Sequence, residues 1–324
     1  MRKNLLKRAA AVLAAAALLV SASPATLNAA GISETSGRPT LTPNQRPIAV
    51  MVDNEKTALK HYGVGEADVV YELMNSTANG RITRLMCVYK DWAAIPRIGS
   101  IRSTRPTNML LAAEWNAVLL HDGGPFYNNA YYGLVNHISG GFARIANGKP
   151  REFTEYVTAG QPAARMAAAG IPATGGQVNH FNFGAVTLAG QPGARSATTV
   201  GLPFPHNASR LVYNAATMTY DYYEYGSIHT DAEDGQVATF DNVLIQNCAF
   251  TLFDANGYMM YNCVGSGSGY YLTRGMAIPV TWTKSSNTDV TRFYNTSGSQ
   301  ITLNAGKTYI TLVPSDSWAA LAIG

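Results

Sequence analysis

Cysteine, histidine and charge are all scarce in this chain. Three cysteines and six histidines in 324 residues, at spacings that match no metal or redox motif, exclude a disulfide-dense scaffold and a readable zinc site. No metal and no cofactor is therefore expected. Charged residues make up 14% against 47% hydrophobic, so the chain is not a disordered polyelectrolyte and should fold. The apolar stretch Ala9–Val20 is too short to span a bilayer comfortably. The formal net charge is +4, yet Arg2, Lys3, Lys7 and Arg8 precede that stretch, and without them 20 basic residues face 20 acidic ones. Neutrality removes the bulk electrostatic case for nucleic acid or anionic membrane as a partner.

What is present begins with an export signal. Residues 1–30 combine a cationic start, an apolar core and small residues at Ala29 and Ala30, where cleavage is expected. No cysteine stands near that point to carry a lipid, so a protein released to the cell exterior or envelope, without a stable membrane anchor, is the expectation. Residues 31–43 form a Pro/Thr/Gly-rich linker.

An N-terminal domain over 44–200 and a second over 201–324 follow from the texture. In the first, Pro47–Val52, Ala67–Met74 and Ile82–Tyr89 read as strands and Ala117–Leu120 as a short one. Thr104–Trp115, Phe126–Asn136 and Pro162–Ala169 read as helices, the first with Pro106 near its start. The second is rich in Tyr, Thr, Asn, Ser and Gly, with short alternating runs that read as strands. The fold class is α+β, a mixed α/β domain with a central sheet and a β-rich partner. Gly265-Ser-Gly-Ser-Gly269 lacks the ending of a phosphate loop and reads as a flexible connection between strands.

Chemistry concentrates in one place. Arg81, Arg84, Arg97, Arg102 and Arg105 fall within 25 residues of an otherwise charge-poor chain. Arg102-Ser103-Thr104-Arg105 stands where a loop hands over to a helix, so backbone N–H groups and guanidinium forks can meet one oxyanion. Asp53 and Asn54 close the first strand, and His121-Asp122-Gly123-Gly124 closes another, where open sheets place ligand-binding turns. The expected ligand-binding set is Asp53, Asn54, Arg84, Arg102, Ser103, Arg105, Gly123 and Gly124. The competing reading is a structural ion-pair network in which the arginines pair with Asp53, Asp68 or Glu72. Asp68, Glu72, His121 and Asp122 are the candidate acids and bases should the protein be an enzyme. His229-Thr-Asp231 does not follow a calcium loop and reads as a solvated connection.

Cys248 and Cys263 flank the hairpin signal at Asn256-Gly257. If Asp254 pairs with Gly257 the two cysteines face each other and a disulfide is expected; a turn centred on Asn256-Gly257 leaves two buried thiols. Cys87, inside Leu85–Tyr89, reads as core.

These stretches resemble the bacterial family of unknown function called DUF3048. The likeness rests on Arg46-Pro-Ile-Ala-Val-Met-Val-Asp-Asn54, Ala67-Asp-Val-Val-Tyr-Glu72, Arg81-Ile-Thr-Arg84, Ile98-Gly-Ser-Ile-Arg-Ser-Thr-Arg105, His121-Asp-Gly-Gly124 and Gly267–Trp282. It implies an extracytoplasmic protein with N- and C-terminal domains, and no established reaction. Many members are lipoproteins, but this sequence has no lipidation cysteine, so the resemblance does not carry over a membrane tether. The functional expectation is an envelope protein that binds an anionic small molecule or cell-wall glycan through an Arg-rich cleft. The alternative is a transferase or hydrolase acting on a phosphorylated or acidic wall glycan.

Overall fold

The computed structural model describes residues 31–324. The export segment and its cleavage point near Ala29 or Ala30 lie outside the described residues. The chain is sheet-rich, 38% strand against 14% helix, so the α+β expectation holds in the coarse sense that strands dominate and helices are few.

Strands β1 (Ile48–Asp53), β2 (Val69–Met74) and β3 (Thr83–Tyr89) are buried at every position. Continuous apolar runs of this kind require cover on both faces, unlike the alternating strands of a half-solvated sheet. Helix α1 (Pro106–Glu114) starts with proline at its first turn, where the missing N–H costs nothing, and buries all but one of its residues. It leads into β4 (Val118–His121), followed by β5 (His137–Ser139) and α2 (Gln161–Ala168). The helix expected over Phe126–Asn136 is instead two short 3-10 turns, Phe126–Ala130 and Tyr132–Leu134. Asn128 sits in the first, its side-chain amide donating to the Thr104 carbonyl, and Gly133 interrupts the second.

The C-terminal half adds β6 (Thr199–Gly201), β7 (Arg210–Asn214), β8 (Thr219–Glu224), β9 (Asn242–Cys248), β10 (Gly265–Thr273), β11 (Met276–Lys284) and β12 (Thr308–Pro314). One sheet of 11 strands runs through both halves, in the order Arg195–Ser196, β11, β10, β9, β12, β2, β3, β1, β4, β5, with Arg292–Tyr294 beside β11. The halves join where β12 lies parallel to β2, Thr308 opposite Val69 and Leu312 opposite Leu73. Strands β6, β7 and β8 belong to a second, six-stranded sheet.

Two local readings need correction. Gly265–Gly269 is no flexible connection but the first half of β10, paired with β11 along its whole length. A Cβ at Gly267 would stand 2.6 Å from the Trp282 indole, and one at Gly269 2.2 Å from the Ile245 carbonyl oxygen. Glycine is there for close packing. The hairpin takes the first of the two registers, Phe250 opposite Tyr261 and Leu252 opposite Met259, yet Cys248 and Cys263 are both free thiols, the outcome tied to the other register. Cys248 is the last residue of β9, held opposite Pro314 by the large sheet, and both thiols are buried as apolar side chains whose ionisation burial opposes.

Candidate functional site

The segment 101–104 laces across the ends of β1 and β4. Arg102 donates its N–H to the Met51 carbonyl at 3.0 Å and accepts from the Asp122 N–H at 3.0 Å, and the Thr104 N–H reaches the Gly123 carbonyl at 3.1 Å. β1 and β4 are parallel, so both strands deliver their C-terminal ends to this lacing, the edge at which open sheets bind ligands. β3 runs antiparallel to β1 and sets Arg84 opposite Asp53. Arg105 follows at the entry to α1, its N–H held by Asn108 Oδ1 at 3.1 Å.

Three guanidinium groups meet there. Arg102 Nε lies 2.8 Å from Asp53 Oδ2, and its Nη1 lies 3.0 Å from Glu152 Oε2. Arg84 donates to the Ser103 carbonyl at 2.8 Å and Arg105 to the Thr104 carbonyl at 2.9 Å. Among the described residues neither has a carboxylate partner, and both Nε atoms are buried without a hydrogen bond. Arg84 is only 5% exposed. Burial pushes its guanidinium below the ordinary value, Asp53 opposing the shift and Arg102 adding to it. Arg105 is pushed down to about 9, by burial first and then by the charge of Arg84. Guanidinium groups remain charged even so; these are cations held together without enough counter-charge.

Ser103, Gly123 and Gly124 lie beside the cluster. Gly123 and Gly124 are exposed, Gly123 with positive φ, and the Gly123 N–H reaches Ser139 Oγ at 3.1 Å. A Cβ on Gly124 would stand 2.0 Å from Asn128 Nδ2, so the turn can lie this close to the helix start only as glycine.

Asn54 does not belong to the site. Its amide points to the opposite face of the sheet, donating to Glu72 at 3.2 Å and Thr83 at 2.8 Å. Glu72 is sealed on that face with five donors, Asn54, Thr83, Asn207, Tyr222 and Tyr309, and burial raises its pKa. Asp68 precedes β2, whose far end adjoins Arg84, and accepts from the Lys90 N–H at 2.7 Å. His121 is fully buried, its Nδ1 donating to the Gly123 carbonyl at 2.9 Å and its Nε2 3.1 Å from His137 Nδ1. Of the four candidate acids and bases only Asp122 stays at the rim, and its carboxylate faces Arg144 at 3.4 Å. Residue order could not reveal this separation, because alternate positions of a strand point to opposite faces.

Sequence reasoning also missed neighbours from distant segments. The Tyr258 ring lies 5.1 Å from the Arg105 guanidinium carbon, and Phe153 lies 5.4 Å from that of Arg102. Tyr127 stacks on Phe253 at 4.5 Å and donates to Asp254 at 3.1 Å. The hairpin of the C-terminal half thereby forms one wall of the cluster.

Residues 35–171 match the N-terminal domain, and residues 200–310 the C-terminal domain, of the proteins of unknown function grouped as DUF3048. The chain belongs to the DUF3048 family. It is 24% identical over 302 residues to the Bacillus subtilis (strain 168) protein named "Putative lipoprotein YerB", covering 86% of this chain and 85% of the relative. The crystal structure of YerB protein from Bacillus subtilis superposes with a TM-score of 0.77 at 22% identity, over 91% of this chain and 99% of that one. The DUF3048 fold is thus shared.

On this DUF3048 chain the guanidinium cluster has Arg84 buried and Arg102 and Arg105 partly exposed. Five hollows of 230 to 590 Å³ lie elsewhere, and none is lined by Arg84, Arg102 or Arg105. The largest is lined by residues such as Val264, Lys284 and Arg292, and carries no constellation tied to the cluster. The parts of the cluster that reach solvent are Arg102, Arg105 and the exposed turn Gly123-Gly124.

Proposed function

We propose that this DUF3048 chain is an exported envelope protein that binds an anionic ligand, a phosphate or carboxylate borne by a small molecule or wall glycan, at the cluster formed by Arg84, Arg102 and Arg105. The name of the Bacillus subtilis relative supports the envelope, and the signal-like N-terminus agrees with export. One observation carries the binding reading. Arg84 is buried and Arg105 largely so, each in the other's field, and among the described residues neither has a carboxylate within ion-pair distance. Such an arrangement is costly until an anion arrives, and the fork geometry of guanidinium suits a tetrahedral or planar oxyanion. The aromatic wall of Tyr258 and Tyr127 would take the sugar or other flat part of the ligand. The dispersal of Asp68 and Glu72, and the burial of His121 with its ring bonded to the Gly123 carbonyl and beside His137, favour a binder over an enzyme.

Calorimetric titration of the folded chain with inorganic phosphate, pyrophosphate and phosphorylated wall fragments tests this. Arg105→Gln should weaken binding by roughly tenfold or more, the worth of a charge-assisted hydrogen bond, while leaving the fold intact. Equal affinities in wild type and the Arg102→Gln/Arg105→Gln variant would remove the cluster as the site.

A further inference from the structure

A second group of side chains, remote in sequence from the arginines, has nothing to do with anions. His61 lies between β1 and β2, Glu224 ends β8, and His229 follows on the strand that returns beside it. All three are buried, and one ligand atom from each lies within 4.8 Å of the others. His229 Nδ1 stands 2.7 Å, and His61 Nδ1 3.8 Å, from the same oxygen, Glu224 Oε1. The His229-Thr-Asp231 loop is not the solvated connection expected from sequence. His229 and Asp231 are buried, and the Ala232 N–H donates to the His61 carbonyl at 2.8 Å.

The decisive feature is what these rings lack. Among the described residues, both nitrogens of His61, including the Nδ1 that faces Glu224, and Nε2 of His229 are buried with no hydrogen-bond partner. An imidazole buried in this way loses its hydration and gains nothing, and native proteins rarely leave such atoms unmatched unless a water or an ion serves them.

We propose that His61, Glu224 and His229 form a site for a divalent transition-metal ion, with zinc the best match to two imidazoles and one carboxylate. Ligands about 2.0–2.2 Å from a tetrahedral ion stand roughly 3.4 Å from one another. The 2.7 and 3.8 Å separations from Glu224 Oε1 bracket that value, and the two histidine ligand atoms lie within 4.8 Å of each other. Tyr222 Oη lies 3.4 Å from the other oxygen of Glu224 and orients the carboxylate as outer-shell partners do. Three protein ligands leave a fourth position for water. A hollow of 420 Å³ lies nearby, lined by Lys60 and Tyr62 on either side of His61 in the chain and by Asp231 and Ala232 of the loop after His229. The site ties the segment after β1 to the six-stranded sheet, so the ion acts as a staple between the two sheets.

The full chain, stripped with a chelator and dialysed, is titrated with zinc alone and with cobalt(II), whose visible spectrum reports its coordination directly. The expected result is one equivalent of zinc per chain, a cobalt spectrum of a four-coordinate nitrogen/oxygen site, and a melting temperature that rises with free zinc. His61→Asn and His229→Asn should each cut retained metal to about a tenth of an equivalent or less. Absence of zinc uptake and of any zinc-dependent melting shift in the wild-type chain overturns the proposal and leaves a histidine pair that shares a proton with Glu224. Full stoichiometry in the His61→Asn/His229→Asn variant overturns it equally, by placing the metal elsewhere. Because the cobalt spectrum is read on the wild-type chain, a variant that fails to fold does not blunt the test.

Discussion

Asp53 and Arg102 share the shortest ion pair of the guanidinium cluster, 2.8 Å between Oδ2 and Nε, and Asp53 is fully buried while a quarter of the Arg102 side chain remains exposed. The pair therefore has two roles. It supplies the fully buried counter-charge of the cluster, and it fixes the lacing of residues 101–104 over the end of β1.

Loss of Arg102 should then be felt in stability as well as binding. Arg102→Ala leaves a buried carboxylate without its cation, and with the pair partly open to water the cost is about 1–3 kcal/mol, below the 3–5 typical of a sealed pair. Urea denaturation measures it. Asp53→Asn in the same background should recover part of the loss, because the amide no longer demands a partner. A single variant as stable as wild type would show that the contact contributes nothing.

The joint between the halves rests on a different pair. Glu114, at the end of α1, lies 3.1 Å from Lys284 Nζ at the end of β11, both fully buried, and also accepts from His180 at 2.8 Å and from the Thr291 N–H at 2.9 Å. These partners hold the Glu114 carboxyl below its ordinary value although burial alone would raise it. Lys284→Ala should cost about 3–5 kcal/mol. Lys284→Met, which keeps the volume, should cost less in packing but still strand the carboxylate. Hydrogen exchange should show protection falling on both α1 and β11, and a loss confined to one of them would separate the pair from the joint.

Acid should weaken the fold through His121. Burial holds its pKa down to about 4, from the ordinary 6.5, with the Gly123 carbonyl opposing. Between about pH 6.5 and pH 4 the unfolded chain takes up a proton that the native imidazole refuses. Stability from this group is therefore complete above the unfolded value and falls on acidification, by up to about 3 kcal/mol. Denaturation midpoints of wild type and His121→Gln across that window isolate the effect from other buried groups. The variant should lose less stability per pH unit, and parallel curves would clear His121 of any part in acid sensitivity.

The legible part of this protein was its strands. Ile48–Asp53, Val69–Met74 and Thr83–Tyr89 stood out because uninterrupted apolar residues bounded by polar ones can be little else, and Pro106 announced α1 in the same local way. The glycines of β10 misled for a physical reason. Read alone they signal flexibility, and only the Trp282 ring and the Ile245 carbonyl pressed against them explain why no larger residue fits. The arginine cluster was half legible. Its density along the chain was visible, but Glu72 and Asn54 turned out to face away from it, Tyr258 came from a hairpin legible in itself but with nothing to place it there, and Glu152 from a segment with no signal of its own.

Burial patterns repeat over two to four residues, so the order of elements, the crowding of arginines and the wish of β1 for cover on both faces could all be written along the chain. Coulomb energy and hydrogen bonding depend on distance through space. Folding alone settled that, among the described residues, Arg84 and Arg105 have no carboxylate at ion-pair distance, and that His61 meets Glu224 and His229 across more than 160 positions of sequence.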